Sequence, residues 1–267
     1  MSKVVLITGG SSGIGKSIGE FLHLKGFIVY GTSRNPNRIA NSVFPLLALD
    51  VRKTDTIMTA IAQVIARSGR IDVVINNAGV GITGPLEEIP TEEIKNNFET
   101  NFFGPIEVMK AVLPQMRIQK SGLIINVTSI AGYMGLPYRS IYSASKGALE
   151  LVTEALRMEV KSFGIQITNI APGDFATNIA SGRYHAPIVS GSAYEKVYGD
   201  MLQTMDAHVD SGGDPLEMAT AVYVIIQNTN PKIHYKVGAF MQKFSIVLKR
   251  ILPDKMYEKM LMNHYNL

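Results

Sequence analysis

Short runs of unalternating apolar residues recur along the chain, separated by longer stretches whose apolar positions follow helical spacing. The β-rich runs fall at Lys3 to Thr8, Phe27 to Thr32, Phe44 to Leu49, Ile71 to Ile75, Gly122 to Thr128 and Ile165 to Ile170. The helical patterns fall at Gly13 to Lys25, Thr54 to Arg67, Thr91 to Gln119 with a break near Gly104-Pro105, and Ser140 to Ser162. Strands that are apolar on both faces must be covered on both faces. The alternation therefore predicts an α/β fold with a parallel sheet between two layers of helices. No Pro/Gly/Ser-rich linker divides the 267 residues, so the pattern reads as one domain over 1–267.

Ligands of such sheets bind beyond the carboxyl ends of the strands, and the unusual residues of this chain cluster there. A glycine turn follows the first strand, Ser33-Arg34 the second and Asp50 the third. Asn76-Asn77-Ala78-Gly79 follows the fourth, Thr128-Ser129 the fifth and Pro172-Gly173 the sixth. All six are expected on one edge of the sheet.

The glycine turn supports three readings. Gly9-x-Ser11-x-Gly13 fits the nucleophile elbow of a hydrolase. That reading lacks a histidine and an acid in recognisable strand-end positions, since His23, His185, His208, His234 and His264 read as surface or packing residues. They have no metal-ligand spacing either. Gly10-x(4)-Gly15-Lys16-Ser17 fits the phosphate loop of a nucleotide triphosphatase, with Asp50 as the carboxylate at the end of a neighbouring strand. Thr8-Gly9-x(3)-Gly13-Ile14-Gly15 fits a dinucleotide turn, and glycines at 9, 10, 13 and 15 suit close approach of backbone and helix to a pyrophosphate. This stretch alone does not separate the last two readings.

Residues 100 to 150 discriminate. Tyr142 and Lys146 stand four apart at the start of a helix, on one face. Ser129 ends the preceding strand and can reach the same point. A phenol is a poor acid or base at neutral pH, but a neighbouring ammonium favours the phenolate. The pair is thus a tunable proton donor or acceptor, and a serine hydroxyl beside it can hold a carbonyl oxygen on which charge develops.

With these residues in view, the chain resembles the short-chain dehydrogenase/reductase family over roughly residues 3 to 230. Thr8-Gly9-Gly10-Ser11-Ser12-Gly13-Ile14-Gly15, Asp50, Asn76-Asn77-Ala78-Gly79, Asn101, Ser129, Tyr142-Ser143-Ala144-Ser145-Lys146 and Pro172-Gly173 with Thr177 stand in that family's order and spacing. The resemblance implies a Rossmann-type doubly wound sheet of about seven strands. It implies Tyr142 as acid/base, Ser129 as carbonyl anchor, Lys146 as tuner of Tyr142 and ligand of the nicotinamide ribose, and Asn101 as organiser of a proton relay. It also implies that Gly9, Ser11, Ser12, Gly13, Ile14 and Gly15 cradle the cofactor, that Asp50 and Val51 flank its adenine, and that Asn77, Ala78, Gly79, Pro172, Gly173 and Phe175 line it. Thr177 would meet the carboxamide, and Lys16 would be an ordinary surface residue. Family members are commonly dimers or tetramers, so a homodimer or homotetramer is expected.

Charge refines the cofactor. An acidic residue about 20 positions after the glycine turn holds the free ribose of NAD, whereas an arginine there accommodates the extra phosphate of NADP. No carboxylate lies between Glu20 and Asp50, but Ser33-Arg34 ends the second strand with Arg38 nearby. A guanidinium suits bidentate phosphate contact, so NADP(H) is expected.

The remaining composition excludes more than it assigns. There is no cysteine, hence no disulfide or thiolate chemistry. The first apolar run is too short for a signal peptide, and no segment offers about 18 uninterrupted apolar residues, so a cytoplasmic protein is expected. The net charge of +4 forms no basic stripe with aromatics beside it, which disfavours nucleic acid. Residues 174–213 read as the loop and helix covering the substrate, with Phe175, Tyr184, Ile188, Val189, Tyr194, Tyr198 and Met201 divided between lining and core. The extension 241–267 resembles that of the steroid and retinol dehydrogenase branches, through Leu248-x-Arg250-x-Leu252-Pro253 and the preceding Tyr235-Lys236-Val237-Gly238. It reads as a lid, a dimer contact or a membrane-surface contact. The expected reaction joins a ketone and a secondary alcohol on a small hydrophobic substrate, with steroid, retinoid, long-chain keto-lipid and 3-oxoacyl classes open. The rival readings are a non-catalytic NADP-binding regulator on the same fold, and the nucleotide triphosphatase.

Overall fold

The computed structural model describes residues 2–175, 182–210 and 212–267, with the backbone alone for 204–210. Seven strands form one parallel sheet: β1 (Val4–Ile7), β2 (Ile28–Ser33), β3 (Leu46–Ala48), β4 (Val73–Asn76), β6 (Gly122–Val127), β7 (Ile165–Pro172) and β9 (His234–Val237). Their order is β3-β2-β1-β4-β6-β7-β9. The chain runs outward from β1 to β3 and then returns to the other side of β1. The crevice between β1 and β4 is thus the point where strand order reverses, and where ligands of such sheets bind. The first six strands lie where the hydrophobic pattern puts them, with Phe44 to Leu49 shortened to Leu46–Ala48.

The inner strands β1, β4 and β6 are largely apolar because both of their faces are buried. Val4 and Leu6 point with Ile124, Ile167, Val108 and Leu149 into one core, and Val5 and Ile7 with Ile18, Ile75, Ile125 and Val222 into the other. Helices α2 (Thr54–Ser68), α4 (Gly104–Gln119) and α5 (Ser140–Glu159) cover the first, and α1 (Gly13–Leu24) and α7 (Pro215–Gln227) the second. Each fully buried aliphatic side chain contributes roughly 1.5–3 kcal/mol, so slipping one strand by a residue would exchange the two cores and lose most of this.

The expected break near Gly104-Pro105 takes a different form. Helix α3 (Thr91–Phe98) passes through a π-turn at Glu99–Phe103 into α4 without stopping. Pro105 has no N–H to donate to residue 101, and the Gly104 N–H reaches back to the Glu99 carbonyl, widening the turn. Asn101 sits in this turn, fully buried.

Two features escape the hydrophobic pattern. Two-residue strands β5 (Ile82–Thr83) and β8 (Tyr184–His185) pair in parallel and wall the site. The extension folds as α8 (Phe240–Ile251) and α9 (Asp254–His264), whose Ile246 and Tyr257 are buried with Ile130, Met134 and Ala171. Helix α6 (Glu195–Asp210) covers the β5/β8 side, with Tyr198 and Met201 buried there. Among the described residues no helix is long and apolar enough to cross a membrane.

Candidate active site

All strands being parallel, the six strand-end motifs meet on one edge. The glycine turn is held there by backbone bonds to its neighbours. The Gly10 N–H donates to the Thr32 carbonyl at 3.0 Å and the Gly9 N–H to Thr32 Oγ1 at 3.2 Å. Thr8 Oγ1 accepts from the Asn77 and Ala78 N–H groups at 3.0 Å each, while Asn77 Nδ2 donates to the carbonyls of Thr8 (2.9 Å) and Gly9 (3.2 Å). Gly9 and Gly13 take positive φ of 65° and 51°. A Cβ on Gly15 would lie 2.4 Å from both the Gly9 carbonyl oxygen and Asn77 Nδ2. The glycines thus serve close packing, as a dinucleotide cradle requires. Ser12 caps α1 in extended conformation without a side-chain bond, leaving the N–H groups of the first turn for an anion. Lys16 is exposed and paired with Glu20 at 3.7 Å, on the surface rather than in the turn.

At the ends of β2 and β3, Arg34 is exposed, and its charge helps hold the Asp50 carboxyl below the usual carboxylate range. The larger cause of that depression is hydrogen bonding from Arg52, whose Nη2 lies 2.8 Å from Asp50 Oδ2. Arg52, absent from the sequence reading, completes a basic rim there. Val51 turns inward and packs on Gly104. Ser33 stays half-buried, its Oγ accepting from the Asn35 N–H.

Behind Tyr142 lies a buried polar scaffold. Asn101 Oδ1 accepts from the Val80 N–H at 2.9 Å, and its Nδ2 donates to the Val80 carbonyl at 2.8 Å. Ser145 Oγ lies 3.3 Å from Asn101 Nδ2 and 3.0 Å from the Tyr142 carbonyl oxygen. Lys146 Nζ donates to the Val127 carbonyl at 3.0 Å. Its burial pushes the ammonium below the usual lysine range, with the charges of Tyr142 and Glu150 acting the other way. Gly79 makes the arrangement possible, because a Cβ there would come within 3.2 Å of Asn101 Oδ1 and 3.3 Å of Lys146 Nζ. One turn further along α5, buried Glu150 accepts from Asn169 Nδ2 (2.8 Å), Tyr133 Oη (3.0 Å) and Thr128 Oγ1, and pairs with His234 Nδ1 (2.7 Å). His234 starts β9 and bridges Glu150 and Glu154, a structural tie rather than a catalytic ligand.

In front of Tyr142 is a cavity of about 60 Å³ lined by Ser129 and Tyr142 together with Ile14, Ile82, Pro172, Gly173, Phe175 and the charged Arg139, Asp174 and Arg183. Ser129 Oγ accepts the Ala131 N–H at 3.2 Å, so its own hydrogen can be given to a ligand. The Arg139 guanidinium lies 5.4 Å from the centre of the Tyr142 ring and bonds the Tyr265 hydroxyl of the extension. Gln242 of α8 donates to Asp174 Oδ2 at 2.7 Å. Of the expected lining, Phe175, Tyr198 and Met201 are buried, Tyr184 and Tyr194 half-buried, and Ile188 and Val189 exposed. Thr177 lies outside the described residues. Of the three charged wall residues, Arg139 stands just before α5, while Asp174 and Arg183 share the connection between β7 and β8, inside the expected substrate-covering segment 174–213, where nothing in the local sequence singles them out.

Comparison with known proteins follows the same outline. The family model described as short chain dehydrogenase matches residues 3–187. A 3-ketodihydrosphingosine reductase from Bacteroides thetaiotaomicron is 39% identical over 257 residues, covering 96% of this chain and 95% of the relative. An NADPH-dependent 3-dehydrocapnine reductase from Ornithobacterium rhinotracheale is 30% identical over 277 residues, covering 96% and 95%. The crystal structure of a short-chain dehydrogenase from Streptomyces avermitilis superposes with a TM-score of 0.86 at 31% identity, covering all of this chain and 97% of the other.

Proposed function

The chain belongs to the short-chain dehydrogenase family, and on that premise we propose that it reduces a long-chain ketone to a secondary alcohol using NADPH. The observation that carries this reading is the cavity shared by Ser129 and Tyr142, with the ammonium of Lys146 buried behind it. When bound, the nicotinamide supplies the hydride to the carbonyl carbon. Ser129 donates its hydrogen to the carbonyl oxygen and fixes it, and Tyr142 delivers the proton as charge develops there. Lys146 gives one hydrogen to the Val127 carbonyl, which leaves its others for Tyr142 and, with the cofactor bound, would let it hold the nicotinamide ribose. Asn101 locks the Val80 backbone beside Gly79 and so keeps the path behind Lys146 in place.

The tight glycine turn and the uncapped first turn of α1 fit a pyrophosphate, and Arg34 fits the extra phosphate of NADP; Asp50 and the backbone of Val51, whose side chain packs inward on Gly104, would flank the adenine. Thr177 is the proposed carboxamide contact. The two curated relatives act on a 3-keto sphingoid base and on 3-dehydrocapnine. The first of these is a keto-lipid, which moves that class ahead of steroid and retinoid. The cavity wall suits a polar head, since Asp174 carries one sign of charge and Arg139 and Arg183 the other.

NADPH oxidation measured with 3-ketosphinganine, a ketosteroid and a retinal tests this reading. The keto-amine is expected to turn over best, and Tyr142→Phe to lower kcat by about 10²–10⁴-fold with NADPH affinity unchanged. Turnover that survives Tyr142→Phe sinks the chemistry, and preference for the steroid sinks the substrate class.

A further inference from the structure

Helix α8 has two apolar sides. Ile246 is buried against the body, and Gln242 and Ser245 face the same way, bonded to Asp174 and to Met134. On the opposite side Phe240, Phe244, Val247 and Ile251 recur at spacings of four, three and four and form one stripe. They are exposed by 71%, 39%, 42% and 73%, and Met241 beside them by 67%. The rings of Phe240 and Phe244 stack at 5.7 Å, pointing out together. A helix resting on a globule normally turns its apolar stripe inward, so this one lacks a partner that the fold supplies.

The charge distribution says what that partner is. Residues 236–267 hold six Lys or Arg against two Asp or Glu, while residues 1–235 hold twenty of each. The net charge of +4 therefore lies on residues 236–267, that is Lys236 of β9 and the extension, and Lys243 and Arg250 flank the apolar stripe directly. We propose that the exposed face of α8 docks the protein on an anionic lipid surface, with Phe240, Phe244 and Ile251 entering the acyl boundary and Lys243 and Arg250 meeting the headgroups. A second copy is a poorer occupant, since a two-fold contact there would bring two equally basic surfaces together. The same helix reaches the site through Gln242 and Asp174, so docking holds the cavity next to the lipid from which a long-chain ketone would come. The docking itself does not depend on the reaction assigned above.

Vesicle co-sedimentation of the full chain, with phosphatidylcholine alone and with phosphatidylglycerol added, tests it. The protein is expected to pellet with the anionic vesicles and to be released by salt. Lys243→Gln with Arg250→Gln should weaken that partition by about 30-fold, the effect of two basic residues at a charged leaflet. Phe240→Glu with Phe244→Glu should abolish it, with thermal unfolding and turnover of a small water-soluble ketone unchanged. A protein that stays in solution with both vesicles, or variants that pellet like the parent, overturns the proposal. So does a dimer that the Phe240→Glu/Phe244→Glu variant splits in the absence of vesicle binding, which would assign the face to a second copy.

Discussion

The two sides of Tyr142 are built differently. Behind it, Asn101, Ser145, Lys146 and Gly79 are joined mostly through backbone atoms of neighbouring elements: the Val80 amide and carbonyl, the Val127 carbonyl and the Tyr142 carbonyl. In front of it, Arg139 comes from the loop before α5 and Asp174 and Arg183 from the connection between β7 and β8, and side chains of the extension, Tyr265 and Gln242, brace two of the three. A site fixed by backbone geometry tolerates one residue type per position. A site braced by side chains can be re-formed with other pairs, so the rear serves chemistry and the front serves choice of substrate.

The largest effect should come from breaking the rear. Lys146→Met removes the ammonium beside Tyr142 and should lower kcat/KM by about 10²–10⁴-fold with every ketone tested. Its stability should respond to pH with a definite sign. Burial lowers the pKa of Lys146 in the folded state, so between that value and the ordinary lysine value the unfolded chain binds more protons. The penalty is complete below the folded pKa and relieved as pH rises toward about 10.4. The parent should therefore gain in Tm on Lys146→Met as pH rises from neutrality. A difference in Tm that does not move with pH would show that the ammonium is not the strained group.

A medium effect is expected at the basic rim of β2 and β3. Losing a charge-assisted contact costs about 1.5–3 kcal/mol, so Arg34→Ala should weaken NADPH binding by roughly 10–150-fold and leave NADH almost unchanged. Fluorescence titration with both nucleotides measures this. Equal changes in the two constants would remove Arg34 from the phosphate site and turn attention to Arg52, which already bonds Asp50.

The same contrast governs what could be read in advance. The strands were legible because both faces are buried, and the glycine turn, Asn77, Asn101, Ser129, Tyr142 and Lys146 because each position admits few residue types. Gly15 illustrates this, having backbone oxygen at 2.4 Å where a Cβ would stand. The π-turn that carries Asn101 showed only as a break at Gly104-Pro105, since residue order records the missing N–H of proline but not how the chain absorbs it. Arg139 left no trace, because an arginine three residues before a tyrosine is ordinary until the fold brings the extension against it, while Asp174 and Arg183 fell inside the expected substrate-covering segment 174–213 without being singled out. The extension itself was legible only as a lid, a dimer contact or a membrane-surface contact. That it buries Ile246 and exposes Phe240 and Phe244 depends on the packing of Met134 and Tyr257, which no spacing encodes.

The smallest effect is the one that separates front from rear most cleanly. The Tyr265 hydroxyl oxygen accepts from the Arg139 guanidinium, which can only donate, and burial holds that phenol above its ordinary range, so it stays a neutral acceptor. Arg139 in turn lies over the Tyr142 ring. Tyr265→Phe keeps the ring in its packing and removes one bond worth about 0.5–1.5 kcal/mol, which corresponds to roughly 2–12-fold. If Arg139 holds the substrate head, the loss falls on KM for the long-chain keto-amine, while kcat on a small ketone, NADPH affinity and Tm stay at the parent values. If it falls instead on kcat for both ketones, Arg139 belongs with Lys146 in supporting Tyr142, and the division between a front that selects and a rear that reacts is wrong at this residue.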